Sequence, residues 1–214
     1  MRVEWLGHAC FLITASDGTR ILTDPYDPSV GYRDMNVEAD VVTVSHDHFD
    51  HNYVKGVGGS PEVVEGPGRR TAKGIEFLGV GTFHDTSGGA QRGRNTVFVF
   101  EVDGLKVCHL GDLGHVLTEE QVREIGEVDV LLIPVGGTFT IGPQEAWRVV
   151  EQLKPKVVIP MHFKTPAVGL PIAPVDDFIS GRPNVKRVGA SEVEITKEAL
   201  PAETEVWVLE PSRG

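Results

Sequence analysis

The sequence concentrates residue types that bind metal ions between positions 46 and 51. Three histidines and two aspartates follow the apolar stretch Val41-Val42-Thr43-Val44, in the order His46-Asp47-His48-Phe49-Asp50-His51. Neutral imidazole and carboxylate are ligands that zinc and similar divalent ions accept. The run therefore predicts a metal site at the end of a strand. A solvated polar loop that happens to be rich in histidine is the alternative.

The spacing within this run favours two ions over one. In an extended segment, His46 and His48 point to the same side and can share a metal. Asp50 and His51 are adjacent, so their side chains project differently and suit a second ion close by. We interpret Asp47 as a hydrogen-bond acceptor in the loop.

Further candidate ligands stand at the ends of later apolar segments. His84 follows Gly79-Val80-Gly81-Thr82-Phe83, Asp112 follows His109-Leu110-Gly111, and His162 follows Ile159-Pro160-Met161. A carboxylate at Asp112 can bridge two ions that lie about 3.5 to 4 Å apart. The candidate ligands are then His46, His48, Asp50, His51, His84, Asp112 and His162.

The elements that must position these residues change in character along the chain. The first half predicts short strands, mostly in antiparallel hairpins, at 2–6, 10–14, 20–22, 41–44, 62–65, 74–80, 96–102 and 106–110. The second half alternates, with helices predicted at 119–125, 143–153 and 176–180 and strands at 129–133, 156–159, 193–195 and 205–209. This order predicts a mixed α/β fold in which two β-sheets pack face to face with helices outside.

The length, composition and charge of the chain limit the classes of protein to which it can belong. With 214 residues, 40% of them hydrophobic, we expect one domain over 1–214. No apolar run approaches the length of a membrane span, and the alternating start lacks the apolar region of a signal peptide, which favours a cytoplasmic protein. Cys10 and Cys108 lie in apolar segments and are expected to be reduced. The net charge of −11 would repel a phosphate backbone, so nucleic acid is a disfavoured partner.

The order of the candidate ligands resembles that of the metallo-β-lactamase superfamily. The resemblance extends over nearly the whole chain. Within the superfamily, three segments are similar to the branch that contains ascorbate-6-phosphate lactonase and the N-acyl phosphatidylethanolamine phospholipase D type: Trp5-Leu6-Gly7-His8, Thr23-Asp24-Pro25 and Pro160-Met161-His162.

The resemblance implies a four-layer αβ/βα sandwich and a dinuclear site. It assigns His46, His48 and His84 to a first metal. It assigns Asp50, His51 and His162 to a second, with Asp112 as the bridge and a hydroxide between the ions. We expect two divalent ions, zinc first, with Mn²⁺, Ni²⁺ and Fe²⁺ as alternatives.

Two such ions would activate water, so we expect a hydrolase acting on an ester, lactone or phosphodiester bond of a small molecule. Asp50 is the candidate to steer the proton of the nucleophile, and His115 is a candidate proton donor or substrate contact. His8 is a candidate residue near the substrate. Arg92 and Arg94, in a loop expected to be flexible, could bind an anionic substrate. The sequence carries no signal for an oligomeric state.

Three other functions compete with this hypothesis. One is a nuclease or phosphodiesterase of the same superfamily, which the acidic composition disfavours. A second is an iron-dependent redox enzyme, although flavin-partnered diiron relatives replace the second ligand histidine with glutamate, and here His48 is intact. The third is a sensor or scaffold that keeps a metal only for stability.

Overall fold

The computed structural model describes all residues from 1 to 214. Fourteen strands follow one another along the chain: β1 (Arg2–Gly7), β2 (Cys10–Thr14), β3 (Arg20–Thr23), β4 (Glu38–Val44), β5 (Gly58–Glu65), β6 (Gly68–Ala72), β7 (Ile75–Phe83), β8 (Arg94–Val102), β9 (Leu105–His109), β10 (Val130–Pro134), β11 (Val157–Met161), β12 (Val185–Arg187), β13 (Glu192–Glu194) and β14 (Glu205–Val208). The α-helices are α1 (Glu119–Ile125), α2 (Pro143–Leu153) and α3 (Val175–Ile179).

The strands form two sheets. The first has six strands in the order β13-β1-β2-β3-β4-β5, and the second has eight in the order β12-β14-β11-β10-β9-β8-β7-β6. In the first sheet β1, β2 and β3 pair antiparallel, whereas β3-β4 and β4-β5 are parallel. The second sheet is antiparallel from β6 to β9 and parallel from β9 through β10 and β11 to β14 and β12.

The main core lies between the two sheets. Side chains alternate along a strand, so each strand of the first sheet contributes to two faces. In β2, Phe11 and Ile13 belong to the large apolar cluster shared with the second sheet, whereas Cys10 belongs to a smaller cluster on the opposite face. The same alternation places Val41 of β4 in the large cluster and Val42 in the small one. The two sheets therefore pack face to face.

All three α-helices lie in the second half of the chain. Helix α1 begins at a capping box, in which Thr118 and Gln121 bond each other's backbone N–H, and it packs against β7. Helix α2 opens with Pro143 and buries Ala146, Val149, Val150 and Leu153, the spacing of one apolar helix face. None of the helices has the length and apolar character that crossing a membrane requires.

Irregular chain covers the outer face of the first sheet. Tyr26, Tyr32 and Met35 pack there against Leu22 and Val42. The two connections, from β3 to β4 and from β4 to β5, contain no α-helix. Each contains one short 3₁₀ turn, at Pro28–Val30 and at Val54–Gly56. The layer expected to be helical on this side is therefore built mainly from loop.

The predicted mixed α/β fold with two packed sheets is confirmed, with two differences in strand assignment and pairing. Strands β6 and β12 were not predicted, because their residues are largely exposed and lack an apolar alternation. The prediction of antiparallel hairpins is wrong for the pairs β3-β4 and β4-β5, which are parallel. Long connections of 14 and 13 residues separate these strands, which allows the chain to return in the same direction.

Candidate metal centre

The candidate ligands converge at one edge of the two sheets. Strand β4 ends before His46, β7 before His84 and β11 before His162, while Asp112 lies three residues beyond β9. All seven predicted ligands lie in loops that directly follow these strand ends. Rigid strands thus aim side chains that are far apart in the sequence at a common volume.

Asp112 occupies the centre of the cluster. Its Oδ2 atom lies 3.1 Å from Nε2 of His51, 3.2 Å from Nε2 of His84, 3.4 Å from Nε2 of His162 and 3.9 Å from Nε2 of His46. The Asp112 side chain is almost completely buried. One carboxylate oxygen therefore faces four imidazole nitrogens away from solvent.

The potential ligand atoms fall into groups on either side of this carboxylate. In one group, formed by His46, His48 and His84, all potential ligand atoms lie within 4.8 Å of one another. A second group with the same property is formed by His8, Asp50, His51 and His162. The first group contains the residues that the family resemblance assigns to one metal. The second contains those assigned to the other metal, with His8 added.

The residues present fit divalent metal ions. Five buried polar atoms of the cluster have no hydrogen-bond partner: His46 Nε2, His51 Nε2, His84 Nδ1, His162 Nδ1 and Asp112 Oδ1. Leaving a buried polar group unsatisfied costs about 1–3 kcal/mol, so five together are unusual in a folded protein. Coordination to a cation would satisfy such atoms, and mixed nitrogen and oxygen donors suit zinc and its first-row neighbours.

Asp24 orients two of the histidines. Its Oδ2 atom accepts a hydrogen bond from Nδ1 of His51 at 2.8 Å and another from Oγ of Ser45 at 2.5 Å. Ser45 Oγ in turn accepts from Nδ1 of His46 at 2.9 Å. These bonds hold both imidazoles through Nδ1 and direct Nε2 of each ring into the cluster, an orientation typical of metal-binding histidines.

The loop that carries Asp112 is held by close packing. Asn95 accepts a hydrogen bond from the Asp112 backbone N–H at 2.9 Å and donates to the Leu110 carbonyl at 3.0 Å. Gly111 has a φ of +56°, and a Cβ there would lie 2.5 Å from both Asn95 Oδ1 and Ser45 Cβ. Only glycine fits at this point, which explains the Gly111-Asp112 pair.

His8 lies beside the second group. Its Nε2 is 3.0 Å from Oδ2 of Asp50, and its ring centroid is 4.2 Å from that of His162. Its carbonyl accepts the backbone N–H of His162 at 3.1 Å. His8, Asp24 and His162 all have positive φ angles, of 53°, 39° and 51°. Such strained backbone clusters at functional sites.

Burial and neighbouring charges set the protonation of the cluster. Burial lowers the pKa of His8 to about 4 and the pKa of His46 to about 3, so both rings are neutral at pH 7. Burial alone would also lower the pKa of His51, but the carboxylates of Asp112 and Asp24 outweigh it and raise that pKa well above its usual value. The site thus collects negative charge where a cation would bind.

Asp50 remains ionised despite its partial burial. Burial alone would raise its pKa, but the hydrogen bond from His8 and the charge of His51 hold that pKa well below its usual range. Since His8 is neutral at pH 7, its Nε2–H donates to Oδ2 of Asp50. Asp50 is therefore a carboxylate that accepts hydrogen bonds at the border of a cavity over the cluster.

A cavity of about 460 Å³ opens over the cluster. His48, His84 and Asp112 contribute to its floor, and Phe49 and Phe139 contribute to its walls. The Phe49 side chain is 61% exposed, although it is large and apolar. An exposed aromatic beside a polar pocket is typical of a ligand-binding entrance.

Two of the predicted substrate residues lie near this cavity, and one predicted catalytic residue does not. Arg92 lines the cavity, and its guanidinium lies 5.5 Å from the ring centroid of Phe139. Arg94 begins β8 and faces an adjoining groove. His115 has both ring nitrogens bonded to main chain: Nε2 accepts from the Phe83 N–H and Nδ1 donates to the Val116 carbonyl. This favours a structural role for His115.

Sequence reasoning did not assign roles to several residues of the site. Asp24 enters only as part of the family resemblance, and the sequence assigns no role to Ser45 or Asn95. Their roles depend on contacts between distant segments, such as Asn95 with Leu110. The one usable signal was a polar residue directly after an apolar strand, which Asp24 and Ser45 share with the ligands.

Several known proteins are similar to this chain in sequence. A family model described as "Beta-lactamase superfamily domain" matches residues 2–162. A UPF0173 metal-dependent hydrolase from Thermococcus onnurineus is 33% identical over 193 residues, covering 77% of this chain and 85% of its own length. A UPF0173 metal-dependent hydrolase from Methanoculleus marisnigri is also 33% identical, covering 78% of this chain and 84% of its own.

Solved structures are also similar to this chain. A candidate zinc-dependent hydrolase of the metallo-β-lactamase superfamily from Thermotoga maritima is 49% identical, with a TM-score of 0.82 and 98% of each chain covered. This chain belongs to the metallo-β-lactamase superfamily.

Proposed function

We propose that this protein is a metal-dependent hydrolase that uses two divalent ions to cleave an ester, lactone or phosphodiester bond of a small molecule. The observation that carries the proposal is the position of Asp112, whose Oδ2 lies within 3.1 to 3.9 Å of imidazole nitrogens from both ligand groups. A carboxylate between two sets of ligands suits a bridge between two ions. The metal-dependent hydrolases among its relatives support the reaction class.

The chain's own residues divide the work of holding the ions. His46, His48 and His84 would hold one, and Asp50, His51 and His162 would hold the other. Asp24 fixes the orientation of His51 from the side opposite its free nitrogen. Bound divalent ions would lower the pKa of a water molecule towards neutrality and polarise the bond to be cleaved.

Asp50 is the residue best placed to handle protons. It is a carboxylate at the border of the cavity, and His8 already engages its Oδ2 atom. Its Oδ1 atom can accept a proton from the attacking water and return it to the leaving group. His8 would keep Asp50 in position for this transfer.

The proposal also includes the identity of the metal, the number of domains, the type of bond cleaved and the cellular location. We propose zinc as the metal, since histidine nitrogen and aspartate oxygen are its usual ligands, with manganese, nickel and iron as alternatives. We propose one domain, because the main core includes residues from Met1 to Leu209. The likeness to the lactonase and phospholipase D branch supports the choice of ester and phosphodiester bonds. The cytoplasmic location expected from the sequence stays a prediction.

A substrate panel with metal-analysed protein tests the proposal. The zinc-loaded protein should hydrolyse 4-nitrophenyl esters, lactones or bis(4-nitrophenyl) phosphate, and Asp112→Asn should lose about 10²-fold or more of that activity. Asp177→Asn, which changes an exposed carboxylate on α3, is the matched control and should retain activity. Activity of the Asp112→Asn protein equal to that of the wild type would contradict the proposal.

The competing functions give different results in the same panel. Cleavage of RNA or DNA without turnover of any small ester or diester would favour the nuclease. A coloured protein with stoichiometric iron would favour the redox enzyme. Metal binding that stabilises the fold without any turnover would favour a sensor or scaffold.

A further inference from the structure

A second cavity adjoins the metal centre on the side of His46 and His48. It has a volume of about 720 Å³ and is an open groove that runs between the two sheets. His48 and Arg92 line both this groove and the cavity over the metal cluster. A ligand could therefore reach the metal centre while part of it lies in the groove.

Three arginines line the groove: Arg70 from β6, Arg92 from the loop between β7 and β8, and Arg94 from the start of β8. Two carboxylates, Asp47 and Glu65, also line it. Arginine therefore outnumbers carboxylate in this groove, whereas acidic residues outnumber basic ones in the chain as a whole, 31 to 20. The groove is locally basic on an acidic protein.

The groove arginines keep their guanidinium groups available. The arginines that form ion pairs are Arg2, Arg20, Arg69 and Arg187. Arg70 donates only to the Pro67 carbonyl, at 3.3 Å. Arg92 lies over the ring of Phe139, which leaves its edge free for an anion.

The loop that carries Arg92 is held in place by hydrogen bonds to one carboxylate. The Asp85 carboxylate accepts backbone N–H groups from Ser87, Gly89, Gln91 and Arg92, at 2.7 to 2.9 Å. Asp85 thus fixes the backbone of Arg92 before any ligand binds, which reduces the entropy lost on binding.

Asp47 is already engaged, which weakens its repulsion of an anion. Its carboxylate accepts a hydrogen bond from the amide of Asn52. Glu65 is exposed at the end of β5, on the wall opposite Arg92 and Arg94. Three guanidinium groups therefore face the groove against two carboxylates. A guanidinium matches the geometry of a carboxylate or phosphate in two parallel hydrogen bonds.

We infer that the substrate carries a carboxylate or phosphate group away from its scissile bond, and that Arg70, Arg92 and Arg94 bind this group in the groove. This inference rests on the proposed hydrolase function and names the substrate class. The scissile bond would lie beside His48, where groove and metal centre meet. The partner is a small anion, because the net charge of −11 opposes a nucleic-acid polyanion.

A matched pair of esters tests the inference. The 4-nitrophenyl monoester of glutaric acid and 4-nitrophenyl valerate share the same bond and differ in a terminal carboxylate against a methyl group. The metal-loaded wild type should show kcat/KM about tenfold or more higher for the glutarate ester. In Arg70→Gln and in the double variant Arg92→Gln/Arg94→Gln, the ratio of the two kcat/KM values should fall towards one, through a higher KM for the glutarate ester.

Arg69→Gln is the control for Arg70→Gln. The two arginines are adjacent in β6, but Arg69 forms an ion pair with Glu76 and does not line the groove. The ester ratio of Arg69→Gln should equal that of the wild type. A wild-type ratio near one, or an equal loss in Arg69→Gln and Arg70→Gln, would overturn the inference.

A binding measurement separates the inference from the proposed function. In calorimetric titration of inorganic phosphate into the metal-loaded protein, Arg70→Gln and Arg92→Gln should each weaken binding by about tenfold, and Arg69→Gln should not. Binding that is identical in all four proteins would place phosphate on the metal alone and contradict the inference. Failure of the wild type to hydrolyse either ester would contradict the proposed function, whereas the phosphate titration would still decide whether the groove binds anions.

Discussion

Asp24 and His51 form a completely buried hydrogen bond, with Oδ2 of Asp24 2.8 Å from Nδ1 of His51. Neither residue reaches solvent, so water cannot replace the bond if it is lost. The same carboxylate oxygen accepts from Ser45, which accepts from His46. One carboxylate therefore fixes a histidine in each of the two ligand groups.

Asp24→Asn should weaken metal binding. An amide can present its NH₂ group where the carboxylate accepts, which opposes the Nδ1–H form of His51. Loss of such an outer partner typically costs 10-fold to 100-fold in metal affinity, so we expect a decrease of about that size. Zinc affinity measured by competition with a chelator checks it. Asp27→Asn, which only caps the Pro28–Val30 turn, is the control and should bind zinc like the wild type.

Gly111→Ala should destabilise the protein and its metal centre. The new Cβ would lie 2.5 Å from atoms of Asn95 and Ser45, at a φ of +56°. We expect a loss of about 3 kcal/mol in the free energy of unfolding, measured by urea denaturation.

Gly74→Ala separates strain from crowding in this experiment. Gly74 has a φ of +76° and no atom within 4 Å of its would-be Cβ. Its substitution should cost about 1 kcal/mol, the penalty for the left-handed backbone alone. Equal losses in the two variants would show that packing around Gly111 is not as tight as described.

The metal-free protein should lose stability as the pH falls from 7 to 5.5. The folded state lowers the pKa of His8, His46, His48 and His109, mainly through burial, and raises the pKa of His51. A histidine with a lowered pKa binds protons more readily in the unfolded chain than in the folded chain, so acid favours unfolding. The raised pKa of His51 acts in the opposite direction, but four histidines have a lowered pKa and only this one a raised pKa. The net effect of acid is therefore to destabilise the folded protein.

Urea denaturation of chelator-treated protein measures this effect. The free energy of unfolding should be about 1–3 kcal/mol lower at pH 5.5 than at pH 7. The decrease should be smaller in His8→Gln, which removes one of the four lowered groups. Stability that is unchanged or higher at pH 5.5 would contradict the assignment of neutral buried rings.

Asp85→Asn should loosen the loop that carries Arg92. Asparagine has one acceptor oxygen for four backbone N–H groups that now share a carboxylate. Amide hydrogen exchange of residues 87–92 should become about tenfold or more faster. Asp17→Asn is the control, because the Asp17 side chain accepts a backbone N–H from Thr19 in a distant turn. Exchange in 87–92 that matches the wild type would show that Asp85 does not order the loop.

The metal-ligand candidates could be predicted from sequence because their signal is local. His46 and His48 stand two apart after an apolar strand, and His84 and His162 each directly follow another. A strand end is visible as a change from apolar to polar residues. The structure then brings these ends to one edge, because the sheets that they belong to pack face to face.

Other parts of the site could not be predicted, because they depend on contacts between distant segments. Arg70 reaches the groove only because β6 forms the edge of the second sheet, and the exposed sequence of β6 carries no strand pattern. Asp24 looks like a turn residue until His51 lies against it. The loop of Arg92 and Arg94 was expected to be flexible from its glycines, but Asp85 anchors it.

The central claim is a two-ion centre around Asp112, and metal stoichiometry tests it most directly. Metal-free protein would be dialysed to equilibrium against micromolar Zn²⁺ and analysed for zinc and protein. The account predicts two zinc ions per chain for the wild type and fewer for Asp112→Asn. A wild-type protein that binds one ion or none under these conditions would contradict it.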